Sequence, residues 1–133
     1  MLFSKGPARC NQREVVPVYA EKMNSKRKGN AGEREFAALL RDYGYLARRG
    51  VQFCGLNGDA DVVGLQGIHI EVKRVEHLNI HEAMKQSIRD AREGEKPIVA
   101  HRRNRGEWMI TMRLDDFIEL YREWESESET KNL

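Results

Sequence analysis

The stretch Ile68-His69-Ile70-Glu71-Val72-Lys73 is the most regular pattern in the chain, because apolar and polar residues alternate at every position. A period of two predicts a half-buried β-strand. His69, Glu71 and Lys73 then share one face, with the Glu71 carboxylate and the Lys73 ammonium about 7 Å apart along the strand. Such a pair is a candidate for a catalytic site. An ordinary exposed ion pair, which stabilises a protein little, is the alternative.

A second predicted strand precedes this one and carries a further carboxylate. It covers residues 60–65, and Gln66-Gly67 after it is typical of a hairpin turn. Pairing across the hairpin should bring Asp61 near Glu71. Two carboxylates in one site repel each other and raise each other's pKa unless a cation lies between them. Hard oxygen ligands of this kind suit Mg²⁺, or Mn²⁺ in its place.

The first predicted helix contributes a third acidic residue. Asn30, followed three residues later by Glu33, has the pattern of a capping box, so we expect this helix to begin near Asn30. It should end at Gly44, where a left-handed residue is usual. Glu33 borders the apolar stripe that begins at Phe36, which allows it to reach a metal on the sheet. A purely capping role for Glu33 is the alternative.

The remaining segments complete the order α-β-β-β-α-β-β-α, with strands predicted at residues 45–49, 97–101 and 108–112. A helix from residue 80 to about residue 92 separates the third and fourth strands. This order predicts an α/β fold with a mixed β-sheet flanked by helices. We expect an irregular N-terminal arm over residues 1–27, one domain over residues 28–125 and a frayed acidic tail over residues 126–133. The last helix should be capped by Asp115 and carry the apolar stripe Phe117, Ile118, Tyr121 and Trp124.

Length and composition predict a globular protein of one domain. The 133 residues are 40% hydrophobic and 33% charged, and the mean hydropathy is -0.71. No stretch approaches the roughly 20 apolar residues that span a bilayer, and no apolar signal-peptide core follows Met1. Two cysteines, Cys10 and Cys54, are too few for a disulfide framework. We therefore expect a cytoplasmic protein that does not enter a membrane.

Charge is distributed unevenly along the chain. The net charge is +2, but residues 1–50 carry +6, residues 51–114 carry +1 and residues 115–133 carry -5. This asymmetry points to a polyanionic partner. Three basic clusters flank the acidic residues in the sequence, as binding to nucleic-acid phosphates requires, although each cluster alone is usually a solvated surface. The clusters are Lys26-Arg27-Lys28, Arg48-Arg49 and Arg102-Arg103-Asn104-Arg105.

Together, Glu33, Asp61 and Glu71-Val72-Lys73 resemble the motif of the PD-(D/E)XK nuclease superfamily. Within it, the pattern is most similar to small Holliday junction resolvases of the archaeal type and their phage relatives. The similarity covers about residues 28–113 in order, spacing and element type, and so exceeds an isolated E-x-K. Ala60 stands where the motif has a proline, a position that varies in the superfamily. The matching stretches are residues 29–36, 58–63 and 70–74 and the helix that holds Gln86.

This resemblance implies a restriction-endonuclease-like fold and a metal-dependent endonuclease that hydrolyses DNA phosphodiester bonds. The implied catalytic residues are Glu33, Asp61, Glu71 and Lys73. The implied ligands of Mg²⁺ or Mn²⁺ are Asp61, Glu71, Glu33 and the Val72 carbonyl. The predicted DNA-binding residues are Lys26, Arg27, Lys28, Arg48, Arg49, Arg74, Gln86, Arg102, Arg103 and Arg105. For Gln86, a solvated position on its helix is the alternative.

The implied substrate is branched DNA such as a Holliday junction, in DNA recombination or repair, within the host cytoplasm if the protein is phage-encoded. A symmetric cut through a junction needs two active sites, so a homodimer is expected. A nicking or restriction-like nuclease of duplex or flap DNA is one alternative, and a non-catalytic DNA-binding accessory protein is another. Among the remaining residues, we expect Asp59 to serve a turn, His69 to be an ordinary strand histidine, and Tyr45 and Trp108 to lie in the core.

Overall fold

The computed structural model describes residues 18–50 and 60–132, with side chains described from residue 29 onward. Its elements are α1 (Val18–Asp42), β1 (Arg48–Arg49), β2 (Val62–Val63), β3 (Ile68–Arg74), α2 (Ile80–Asp90), β4 (Lys96–Arg102), β5 (Met109–Met112) and α3 (Leu114–Lys131). The predicted α/β class and the order α-β-β-β-α-β-β-α are confirmed.

The five strands form one mixed sheet in the order β1-β2-β3-β4-β5. The β3–β4 pair is parallel and the other three pairs are antiparallel. A parallel pair needs a crossover connection, which α2 supplies. The predicted hairpin at Gln66-Gly67 is confirmed, because the Ile68 N–H donates to the Leu65 carbonyl at 3.1 Å and Gly67 has a φ of 82°. Strands β1 and β2 are each two residues long, shorter than predicted.

A helix packs on each face of the sheet, and the alternation of β3 decides which residues each helix meets. On one face, Phe36 and Leu40 of α1 pack with Ile70 of β3 in the main apolar core. On the other face, the Ser87 hydroxyl of α2 donates to the Ile98 carbonyl at 2.9 Å and fixes α2 to β4. His69, Glu71 and Lys73 therefore lie on the face of β3 that α2 covers, whereas Arg74 lies on the α1 face and pairs with Glu35.

Helix α1 begins earlier than predicted. The expected start near Asn30 is wrong, because the helix begins at Val18 and continues through Gly29 and Asn30. A glycine inside a helix costs only about 1 kcal/mol, so it does not stop a helix that packing stabilises. Asn30 is consequently no cap, and a capping-box role for Glu33 is excluded. The helix also overlaps the predicted arm from residue 18 onward, while residues 1–17 lie outside the described residues.

Helix α3 differs from prediction at its start and along its stripe. Asp115 is not the cap: Arg113 occupies the N-cap position, and its Nε donates to Asp116 Oδ2 at 3.1 Å. Phe117, Tyr121 and Trp124 are 50%, 45% and 61% exposed, although their rings follow one another along the helix. The helix extends to Lys131, within the predicted acidic tail. The predicted stripe therefore exists, but its three aromatic residues are exposed while Ile118 is half-buried.

Two aromatic residues predicted for the core have different outcomes. Trp108 is partly buried, with its ring centroid 5.0 Å from that of Phe36. Tyr45 is 51% exposed, so its prediction is wrong. Tyr45 follows the left-handed Gly44, which ends α1 as expected with a φ of 100° and turns the chain away from the helix. No helix within the described ranges is both long and apolar enough to cross a bilayer.

Candidate active site

Asp61 and Glu71 meet across the β2–β3 hairpin. The Asp61 N–H donates to the Ile70 carbonyl at 2.9 Å, and Asp61 Oδ2 accepts from the Val72 N–H at 2.9 Å. These two bonds fix Asp61 beside β3. The Asp61 and Glu71 side chains belong to buried residues, 8% and 2% exposed. The hairpin thus places two acids together in the interior, as the sequence predicts.

The environment of this pair opposes two negative charges. Burial raises the pKa of Asp61 to about 7, and the charge of Glu71 adds to the rise. A hydrogen bond between the two carboxyl groups and the charge of Glu33 act in the same direction, while the Val72 N–H acts against them. Glu71 Oε2 is buried and has no hydrogen-bond partner among the described residues. Two buried carboxyl groups that disfavour each other's negative charge provide the oxygen donors that a divalent cation prefers.

Glu33 lies near this pair but is bound by an arginine. Its Oε2 accepts from Arg49 Nε at 2.9 Å, and Arg49 Nη2 donates to Asn30 Oδ1 at 2.9 Å. The charge of Glu33 still reaches Asp61, whose pKa it raises. Within the described residues, no three aspartate, glutamate, histidine or cysteine side chains form a metal-binding group. The candidate carboxylate ligands are therefore Asp61 and Glu71, while Glu33 has one oxygen bound to Arg49.

Lys73 and Gln86 lie in the same cleft as the acids. Lys73 Nζ donates to Gln86 Oε1 at 3.2 Å, so α2 helps to orient the ammonium group. A cleft of about 670 Å³ is lined by both residues and by Glu33, Asp61 and Val72. The structure thus places Gln86 in the cleft rather than on a solvated helix face.

The predicted DNA-binding arginines fall into two groups. Arg49 is paired with Glu33. Arg74 and Arg102 are paired with Glu35, with Arg74 Nε 3.2 Å from Glu35 Oε2. A phosphate would have to compete with these acids. The other arginines of the set are exposed and are Arg48, Arg103 and Arg105. The side chains of Lys26, Arg27 and Lys28 lie outside the described ones.

The contacts of Glu35 could not be predicted from the sequence. Besides its two arginines, Glu35 Oε1 accepts from Trp108 Nε1 at 3.2 Å, which ties α1 to the start of β5. Glu35 follows Glu33 by two residues on a helix, so the two side chains point in different directions. No local pattern distinguishes the acid that lines the cleft from the one that joins these elements.

The contact between His69 and Glu71 was also not predicted. His69 Nε2 lies 3.1 Å from Glu71 Oε1, and both residues are 2% exposed. The signal was present in the sequence, because residues two apart on a strand share a face. Asp59, the predicted turn residue, lies outside the described residues.

Comparisons with known proteins give one family and one similar structure. Residues 24–132 match the family model described as "Phage putative PDDEXK endonuclease". Hjc, a Holliday junction resolvase from the archaeal hyperthermophile Archaeoglobus fulgidus, is a similar solved structure, with a TM-score of 0.48 and 26% sequence identity. That similarity covers 64% of this chain and 72% of Hjc. No curated protein sequence matches the chain significantly.

Proposed function

Since the chain belongs to the family of phage PDDEXK endonucleases, we propose that it hydrolyses DNA with a divalent cation and acts on branched DNA such as Holliday junctions. The observation that carries this proposal is the cleft that contains Asp61 and Lys73, with the buried Glu71 beside Asp61. An acidic pair that needs a cation, next to an amine, is the arrangement that phosphodiester hydrolysis requires.

The donor set fits a hard divalent cation. We assign Asp61, Glu71 and the Val72 carbonyl as ligands of Mg²⁺, or of Mn²⁺ in its place. Two carboxylates are sufficient for Mg²⁺, which keeps several of its waters. When bound, the cation supplies Lewis-acid polarisation of the scissile phosphate and acidifies water. Glu33 completes the acidic set when DNA phosphate replaces it as the partner of Arg49.

Lys73 is the residue of this chain that we expect to act directly on the reacting groups. Its ammonium, held by Gln86 Oε1 at 3.2 Å, can donate to the attacking water and to phosphate oxygens as their negative charge increases. Hydrolysis forms a new P–O bond from that water, which releases a proton to solvent, and breaks the bond to the 3′-oxygen, which takes up a proton from solvent and leaves as a hydroxyl. The exposed Arg48, Arg103 and Arg105 attract the DNA backbone, because acids at the site would otherwise repel it.

A competition assay tests the substrate. Equal amounts of a labelled four-way junction and a duplex of the same length are incubated with the protein and Mg²⁺. We expect the junction to be cut at least about tenfold faster, a difference of about 1.4 kcal/mol in transition-state free energy. Equal cutting of both would indicate a nicking or restriction-like nuclease. Salt-sensitive binding without cleavage in Mg²⁺ or Mn²⁺ would indicate an accessory protein and would contradict the proposal.

A homodimer is part of this proposal, because paired cuts in a junction need two active sites. Helix α3 offers the surface: Leu114, Phe117, Tyr121 and Trp124 are between 45% and 71% exposed along it. A row of large exposed apolar side chains is typical of a protein interface. Residues 115–133 carry a net charge of -5, which would repel DNA phosphates. We therefore assign α3 to contact with a second copy rather than with DNA.

Replacing Tyr121 and Trp124 together with glutamate should separate the two copies. The wild-type mass in sedimentation should be about twice the 15.4 kDa of one chain, and the double variant should sediment as a monomer. Arg122→Glu, on the same helix but outside the aromatic row, is the control and should remain dimeric. The monomer should make single, uncoupled nicks in a junction, since each active site is intact. A double variant that remains dimeric would exclude this surface.

A further inference from the structure

His69 has no role in the proposed hydrolysis, although it lies beside Glu71, a proposed metal ligand. It shares the face of β3 with Glu71 and Lys73 and is 2% exposed. We infer that His69 is a positioning residue that holds Glu71 Oε1, so that Glu71 Oε2 stays available to the cation. This inference rests on the proposed function, because it concerns how that site binds its metal.

The contact between the two side chains has a defined direction. His69 Nε2 lies 3.1 Å from Glu71 Oε1. A carboxylate that binds a cation can only accept hydrogen bonds, so in the proposed metal-binding form the imidazole Nε2 carries the proton and donates. The other ring nitrogen, Nδ1, lies 4.0 Å from Glu95 Oε1, which is beyond hydrogen-bond distance. Of the two acids beside the ring, Glu71 is therefore the one that His69 binds.

The two oxygens of Glu71 have different surroundings. Oε1 accepts the bond from His69, whereas Oε2 is buried and has no hydrogen-bond partner among the described residues. One oxygen is thus fixed by the protein, and the other remains for a cation. Without His69, both oxygens would be buried without an N–H donor, and the carboxylate would rotate toward any group that satisfies it.

The expected consequence is weaker metal binding rather than a slower chemical step. Removing a partner that orients a metal ligand typically weakens metal affinity or activity by about 10- to 100-fold. The chemical groups themselves, including Lys73, stay in place. Saturating metal should therefore restore most of the cleavage rate, and a variant that keeps the donor should keep the metal affinity.

The test compares two polar replacements of similar character. In His69→Gln the amide nitrogen occupies approximately the position of Nε2 and can still donate to Glu71, whereas in His69→Asn it is too short to reach. Two readouts are measured for each: the Mg²⁺ concentration that gives half-maximal junction cleavage, and the concentration that gives half of the Mg²⁺-dependent rise in Tm without DNA. We expect H69N to need about 10- to 100-fold more Mg²⁺ in both, and H69Q to need less than about threefold more.

The outcomes separate this inference from the function on which it rests. If the wild type shows neither Mg²⁺-dependent cleavage nor a Mg²⁺-dependent Tm, the proposed function fails. If the wild type shows both and H69N has an unchanged Mg²⁺ requirement, His69 is not a positioning residue. Should H69N not fold, His69→Leu replaces it as the variant without a donor. If both unfold while H69Q folds, the role of His69 is purely structural and the inference is overturned.

Discussion

Asp61→Asn is expected to lower the rate of DNA cleavage by about 10³-fold while it stabilises the metal-free protein at pH 8. The loss of cleavage follows from removing one of two buried carboxylate ligands, since metal coordination supplies several kcal/mol of transition-state stabilisation. At 1.36 kcal/mol for each factor of ten, a decrease of about 10³-fold is expected. The substituted amide keeps an oxygen for the Val72 N–H, so the local fold around β3 is preserved.

The gain in stability follows from the same buried pair. Burial beside Glu71 raises the pKa of Asp61 from 3.8 to about 7, so the folded state holds this proton to a higher pH than the unfolded state. The stability that depends on the proton is complete below about pH 4 and is lost as the pH rises through about 7. The difference corresponds to roughly 4 kcal/mol at most. Asparagine has no such charge and can donate to Glu71.

Chemical denaturation of both proteins without divalent ions, at pH 5 and pH 8, measures this effect. The wild type should lose stability between the two pH values, and the variant should lose less and exceed the wild type at pH 8. Asp42→Asn, at the exposed end of α1, is the control and should change neither stability nor cleavage. A variant that is less stable than the wild type at pH 8, or that cuts DNA with Mg²⁺ at the wild-type rate, would contradict the assignment of Asp61.

Lys73→Met is expected to lower the cleavage rate by about 10²- to 10³-fold and to leave metal binding intact. The loss of one donor aimed at the charge that develops in a transition state typically has this size. Methionine retains the length of the side chain, so packing in the cleft should change little. Gln86 loses the partner of its Oε1, which lies near solvent and can bind water.

Single-turnover cleavage of a junction at saturating Mg²⁺ measures the rate for this variant. The Mg²⁺-dependent rise in Tm should match that of the wild type, because Asp61 and Glu71 are unchanged. Lys85→Met removes an exposed lysine from α2 that pairs with Glu82 outside the cleft, and it should cut at the wild-type rate. Equal losses in both lysine variants would show that the effect is general DNA attraction and not chemistry at Lys73.

The parts of the site that lie close together in the chain were predictable. The alternation of Ile68 to Lys73 predicts β3, and the turn at Gln66-Gly67 sets the register that brings Asp61 to Glu71. Both depend on local backbone geometry, which a few neighbouring residues determine. The structure also brings Lys73 and Gln86 together, as the resemblance to the superfamily implied. The chemical roles of these residues remain predictions.

Contacts between distant segments were decided by the tertiary structure. Residue types alone did not show that Arg49 would bind Glu33, or that Arg74 and Arg102 would share Glu35, because any arginine can pair with any acid that packing brings close. These pairs divide the arginines into those that are bound to a glutamate and those that are exposed to solvent.

Two errors about the helices have related causes. The local signals at Asn30 predicted a helix start, but α1 continues through it from Val18, since packing outweighs the small cost of an internal Gly29. Asp115 was predicted to cap α3, but the N-cap is Arg113, whose side chain binds Asp116. The sequence by itself determined the order of the elements and the acidic hairpin, because periodicity and turn geometry are local properties. Which charges are neutralised, and which apolar surface stays open, depended on how distant segments pack.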